Sequence, residues 1–171
     1  MTPQIRIAHI YISPGHNYVG HHRQPPGTHE ILEVPQAECL AGRGLRGDRF
    51  FDHPENHKGQ ITFFAMEVYE ALRDELGVTD KSPAVFRRNV VTTCAALPEL
   101  VGRRFSIQGV EFEGVEECRP CYWMNLAFHP EAETKLDGRG GLRARILTSG
   151  VLHADASGSA STSVLRLQES P

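Results

Sequence analysis

Only one stretch of this chain, MEVYEALRDELG at residues 66–77, places apolar side chains at helical spacing: Met66, Tyr69, Leu72 and Leu76 share a face, and Gly77 stands where a left-handed cap would end the helix. The other apolar runs are short and strand-like. QIRIAHIYI alternates at Ile5 and Ile7, then at Ile10 and Ile12, changing phase near Ala8 as a bulged strand does. EILEV, QITFF and NVVTT are further strands. In RRFSIQGVEFEG, Phe105 and Ile107 face Val110 and Phe112 across Gln108-Gly109, a two-residue hairpin turn. LRARILTSG and STSVLRLQ supply the last strands, separated by ASGSAS. Short strands with a single long helix must bury their apolar faces mainly sheet on sheet. The predicted class is therefore mainly β (α+β): an antiparallel, barrel-like sheet with one main helix and short helical decoration, rather than a βαβ repeat.

At 171 residues and 40% apolar side chains, the chain suits a single domain, residues 1–171, with a last strand and a frayed tail over 152–171. No internal repeat is present. Eighteen basic residues against twenty-one acidic ones give a net charge of −3, which provides no global field for nucleic acid or an anionic membrane, so any anion site must be local. The start, MTPQIRIAHI, has no cationic segment leading into a long apolar run, and no window is apolar enough to cross a bilayer. The expectation is a soluble, cytoplasmic protein whose four cysteines, Cys39, Cys94, Cys118 and Cys121, stay reduced.

Two long irregular loops stand out, SPGHNYVGHHRQPPGTH at 13–29 and AGRGLRGDRFFDHPENHKG at 41–59. Loops of such length are usually functional or disordered. Arginine meets glycine or a turn in GRGLRGDRF, FRRN and GRGGLRAR. Glycine lets backbone N–H groups approach an anion, and arginine recognises phosphate or carboxylate with a planar fork. None of these stretches is a Walker A loop or a dinucleotide fingerprint. Taken singly, Arg43, Arg46, Arg139 and Arg143 read as solvated loop residues, and Asp48 as a partner of Arg49 or a turn cap; taken together, the stretches read as an anion site.

EECRPCYWMN places Cys118 and Cys121 three apart around Arg119 and Pro120. A redox dithiol would open a helix in a thioredoxin-like unit, whereas the surroundings here read as a hairpin. A structural zinc would need two more ligands, available only from His16, His21 and His22 or from His53 and His57, without ligand-pair spacing to support it. Two ordinary thiols near a turn is the plainest reading, and it is the one taken for Cys39 and Cys94. A fourth reading fits the surroundings better: a soft thiolate beside the cation Arg119, with Pro120 restricting the approach to Cys121, suits molybdenum or a persulfide.

GLRGDRFF, RRNVVT, VGRRFSIQGVEFEGVEECRPC and GRGGLRARILTSG, in that order, resemble the MOSC domain over residues 5–151. This module occurs in molybdenum cofactor sulfurases, in the amidoxime-reducing component of mitochondria and in stand-alone bacterial proteins; with no aminotransferase-like, pyridoxal-phosphate domain, this chain is similar to the stand-alone members. The resemblance implies a β-rich barrel and makes Cys121 the sulfur that ligates molybdenum or carries activated sulfur. It implies that Arg87 and Asn89 of the R-x-N motif, Arg49 of the D-R pair and Arg119 contact the molybdenum cofactor (molybdopterin), with Gly15 and His16 in a cofactor-contacting loop. In that loop SPGHNYVGHH replaces the family's lysine and serine, which leaves room for a metal at His16, His21 or His22.

Two functions follow from the resemblance. One is molybdenum-dependent reduction of N-hydroxylated small molecules, such as hydroxylaminopurines or amidoximes, with a reductase partner. The other is a persulfide carrier fed by a desulfurase. A small Cys/His zinc protein is the third alternative.

Overall fold

The computed structural model describes residues 4–17, 23–54, 57–93 and 95–155. His21, His22, Cys94 and the expected strand STSVLRLQ lie outside the described residues. The elements, in chain order, are β1 (Arg6–Ile12), β2 (Leu32–Glu33), β3 (Gln36–Leu40), β4 (Gly44–Leu45), β5 (Ile61–Ala65), α1 (Met66–Leu76), β6 (Val90–Thr93), β7 (Arg104–Ile107), β8 (Val110–Glu117), α2 (Tyr122–Ala127), α3 (Ala132–Lys135), β9 (Leu142–Ile146) and β10 (Gly150–His153). Short 3-10 turns occupy Pro83–Phe86 and Leu97–Leu100.

The strands form a seven-stranded sheet, β2-β1-β6-β5-β9-β8-β7, and a three-stranded sheet, β10-β3-β4. The class is mixed α+β, mostly sheet. Among the described residues both sheets are open, however: pairing in the larger one stops at β2, only two residues long, and at β7, so the closed hydrogen-bonded barrel that was expected is not shown. Nor is the pairing wholly antiparallel. β5 and β6 run parallel because α1 carries the chain back between them. Strands β3 and β4 arise inside and just before the glycine-rich loop, and β10 follows β9, places where turn residues mask the alternation.

Period-2 geometry explains the two cores. QITFF has no alternation because β5 is covered on both faces. Phe63 joins Ile7, Ile10, Leu45, Val90, Phe112 and Leu142 in one apolar cluster, while Phe64 joins Tyr69, Leu72, Phe86, Met124 and Phe128 in a second, to which α1, α2 and α3 all contribute. The bulge falls between Ile7 and His9, so Ile7 and Ile10 both reach the first cluster, as the phase change near Ala8 indicates. α1 buries Tyr69 and Leu72 and ends at Gly77 with φ 65°. The β7–β8 hairpin pairs Phe105 with Phe112 and Ile107 with Val110, with Gln108 and Gly109 at φ 52° and 81°.

β8 also bends, its register shifting between Gly114 and Glu116. Gly114 is wedged against the Leu100 carbonyl, where a Cβ would collide with backbone. Gly114→Ala is expected to cost about 2–4 kcal/mol, seen as a lowered midpoint in urea at unchanged slope. Gly109→Asn, where nothing crowds a Cβ but φ is 81°, should lower the midpoint by less, because Asn enters the left-handed region more readily than other side chains.

Candidate functional site

Three consecutive residues at the entry to β6 organise the site. The 3-10 turn before them ends with Arg87 in the left-handed region, φ 57°, and the side chains that follow serve different segments. Arg87 donates from Nη2 to Ser13 Oγ at 2.7 Å and to the Gly15 carbonyl at 2.6 Å, and from Nη1 to the His29 carbonyl at 3.2 Å. It thereby gathers both described ends of the first loop. Arg88 turns instead to the cysteine segment and the GRGG loop. It donates to the carbonyls of Gly140 (3.0 Å), Cys118 (2.9 Å) and Phe86 (3.2 Å), and more loosely to that of Arg119 (3.4 Å). Asn89 is buried inside the sheet: its Oδ1 accepts from the Thr62 N–H (3.0 Å) and Oγ1 (3.1 Å), and its Nδ2 donates to the Tyr11 carbonyl (3.2 Å).

The second loop is joined to the first by Asp48. This buried carboxylate accepts from the Ser13 N–H at 3.0 Å, Arg49 Nη1 at 3.3 Å and the Phe50 N–H at 3.3 Å, so it pairs with Arg49 and caps the turn at once. Arg49 also donates to the Arg87 carbonyl at 3.0 Å and lies over the Phe50 ring. Arg43 and Arg46 point elsewhere and pair with Asp52 and Glu38 on the surface.

Cys118 is buried just past β8, its N–H bonded to the Gly141 carbonyl at 2.8 Å. Cys121 is half-buried and stands immediately before α2. The cysteines thus bridge a strand end and a helix start instead of lying in a hairpin; α2 is too short to announce itself by periodicity. Trp123 donates to the Val85 carbonyl at 2.8 Å, fixing α2 against the 3-10 turn that carries Arg87. A Cβ at Gly140 would strike the Cys118 carbonyl and Pro120, so glycine there lets the GRGG loop seat directly on the cysteine segment.

These segments enclose a cavity of about 400 Å³. Of the sequence-derived residues, His16, Arg49, Arg87, Arg119 and Cys121 line it, together with Cys118, Arg88 and Arg143. Gly15 contributes through its carbonyl on Arg87, and Asn89 braces the sheet beneath the cavity without lining it. Arg139 lines a different, mostly apolar cavity. Sequence reasoning named His53 and His57 only as spare zinc ligands and missed the wall they make with Phe50 and Trp123, where the Phe50 and His57 rings stack at 5.6 Å and His53 lies 4.7 Å from His57. The aromatic and histidine content of the second loop was the available signal. Among the described residues no group of three or more His, Cys, Asp or Glu side chains is placed to hold a metal ion.

The cavity is electropositive. Burial, then repulsion from Arg49, pushes the Arg87 guanidinium down to about 10, still cationic at neutral pH. Burial lowers Arg49 as well, opposed by Asp48 and aided by Arg88. His16 and His57 are both lowered below 6.5, chiefly by burial, then by Arg49 in the first case and His53 in the second. A cationic cavity that favours neutral imidazoles is suited to an anionic ligand.

The lowered histidines fix a sign. The unfolded chain takes up these protons more readily, so their contribution to stability is complete above pH 6.5 and is lost as the pH falls through the depressed folded-state values. His57→Gln should therefore show a shallower fall in unfolding temperature below that pH than the wild type; parallel curves would exclude His57 as a source.

Comparison with known proteins agrees with this architecture. The MOSC domain profile matches residues 49–157, which include Arg49, the R-R-N run, both site cysteines and the GRGG loop. No curated protein matches the chain. Among solved structures, YuaD of Bacillus subtilis superposes with a TM-score of 0.67 at 15% identity, over 88% of this chain and 91% of that one. YiiM of Geobacillus stearothermophilus gives 0.63 at 12% identity, over 87% and 71%. YiiM of Escherichia coli gives 0.60 at 17%, over 88% and 67%. At these identities the structures share the fold, and the profile match over most of the chain adds the lineage. The chain belongs to the MOSC domain family.

Proposed function

We propose that the protein binds the molybdenum cofactor, with Cys121 as the protein's ligand to the metal, and that it reduces N-hydroxylated small molecules. The observation that carries this reading is the half-buried Cys121 thiol sharing one cavity with Arg49, Arg87, Arg119 and Arg143. The donor set suits that group: one accessible thiol fits a metal arriving with its own sulfur ligands, whereas a structural zinc needs four protein ligands. The cavity of about 400 Å³ lies within the size range of small-molecule and cofactor sites. When bound, the cofactor would supply two-electron oxygen-atom transfer.

The chain's own residues would then do the following work. Arg119, exposed beside the cysteine, and Arg143, already sharing Glu116 at 3.3 Å, offer guanidinium donors to the phosphate or to an anionic substrate. Arg87 and Arg49 hold the loop walls while keeping the cavity cationic. The Phe50, His57 and Trp123 rings make a wall on which a flat heteroaromatic substrate can stack. Reduction of the hydroxylamine breaks its N–O bond and yields amine and water, consuming two electrons and two protons. A reductase partner supplies the electrons. The persulfide carrier keeps the same nucleophile, and it is the outcome to be separated by experiment.

The test is metal and pterin analysis of protein from a cofactor-competent host, wild type beside Cys121→Ser. About one molybdenum per chain in the wild type, lost in the variant, is expected for a single thiolate ligand. No molybdenum in either, with a mass adduct on Cys121 that reductant removes, would replace this reading with the sulfur carrier. With cofactor loaded, Arg119→Ala is expected to raise the KM for an anionic substrate about tenfold, since a charge-assisted hydrogen bond is worth roughly that factor.

A further inference from the structure

Arg88 is a buried cation that makes no ion pair among the described residues; its hydrogen bonds go to carbonyl oxygens. A buried guanidinium without a carboxylate is costly unless its donors are fully satisfied in a fixed geometry. The carbonyls that satisfy it belong to three segments, and two of them, Cys118 and Arg119, lie within the C-x-x-C. The third segment is the GRGG loop, at Gly140, which packs on the Cys118 carbonyl and on Pro120 and whose next residue accepts the Cys118 N–H. The cysteine segment is short of regular structure: β8 ends at Glu117 and α2 starts at Tyr122.

We propose that Arg88 is the positioning residue of the cysteine pair. It acts through the carbonyls of Cys118 and Arg119, keeping the Cys118 sulfur covered and setting where the Cys121 thiol enters the cavity. Its neighbour Arg87 serves the first loop instead, through Ser13 and Gly15, so the two arginines are not interchangeable. The use of this arrangement rests on the cofactor reading above, whereas the geometry does not.

Because the role is local, it separates from global stability. Cys39 lies in the sheet-on-sheet core, fully buried, while Cys118 is buried beside Arg88, so Cys39 is an internal control. The experiment is timed alkylation of the full-length protein with iodoacetamide, read by peptide mass spectrometry, on protein grown without molybdate. Wild type, Arg88→Met and Arg88→Lys are compared. In the wild type Cys121 should label first. In Arg88→Met the ratio of Cys118 to Cys39 labelling should rise about tenfold or more, because losing a hydrogen bond from a charged donor changes a local opening equilibrium by roughly that factor. Arg88→Lys, which keeps the charge but not the fork, should fall between the two.

A parallel rise at both cysteines, or no rise at either, would overturn the proposal and leave Arg88 as a general stabiliser. Should Arg88→Met fail to fold, the same ratio in Arg88→Lys decides. Molybdenum uptake is measured separately on cofactor-loaded protein. A wild type that takes up none while the labelling ratio behaves as stated would remove the cofactor reading and leave the positioning role standing.

Discussion

Burying guanidinium groups beside a cavity creates a demand for acceptors that the rest of this structure is arranged to meet. Among the described residues the interior offers one buried carboxylate there, that of Asp48. Backbone carbonyls of irregular segments do most of the work: those of Gly15 and His29 for Arg87, of Arg87 for Arg49, and of Cys118 and Gly140 for Arg88. Each such bond fixes a loop that has no strand or helix to hold it. Carbonyls satisfy the donors without cancelling the charge, so Arg87 and Arg88 stay cationic at the cavity even though Arg49 is paired with Asp48, and loop order and an anion-attracting field have one origin.

That origin explains why the site sits where the sheet meets the helical layer. β5 sends Phe63 to one core and Phe64 to the other, and Thr62 between Ile61 and Phe63 is tied to Asn89. The R-R-N run is therefore rooted in the sheet at Asn89, while its two buried arginines serve different segments, Arg87 the first loop and Arg88 the cysteine segment and the GRGG loop. The short helix after Cys121 closes the remaining side by packing Met124 and Phe128 on the second core. Glycine matters at two close approaches, Gly114 on the Leu100 carbonyl and Gly140 on that of Cys118, where any side chain would push segments apart.

Much of this was legible in the residues. The bulge in β1, the main helix and its Gly77 cap, and the β7–β8 register all follow from local periodicity and turn chemistry, which act over a few residues. Cys121, Arg49, Arg87, Arg119 and His16 were named from motifs and resemblance, and they do share a cavity. Asn89 was also named as a contact, but it faces the sheet because its amide can satisfy Thr62 and Tyr11 there. The two-residue strand β4, the positions of the short helices and the open ends of the sheets escaped notice, because such elements are stabilised by their neighbours and carry no period of their own. The histidine and aromatic wall escaped for a related reason: Phe50, His53 and His57 lie in one irregular loop that carries no period, and Trp123 joins them from the distant α2.

By itself the sequence determined the class of the fold, the family and the chemistry available: one cysteine pair, several arginines and glycines at turns. Only the tertiary structure decided that Arg49, Arg87, Arg88, Arg119 and Arg143 line one cavity, and that Arg43, Arg46 and Arg139 lie elsewhere. It also decided that Cys118 is buried while Cys121 is half-buried, although both residues border the cavity. The physical reason is that burial and hydrogen-bond satisfaction depend on partners far apart in the chain, such as Arg88 with Gly140, whereas periodicity and turn propensity are properties of neighbours.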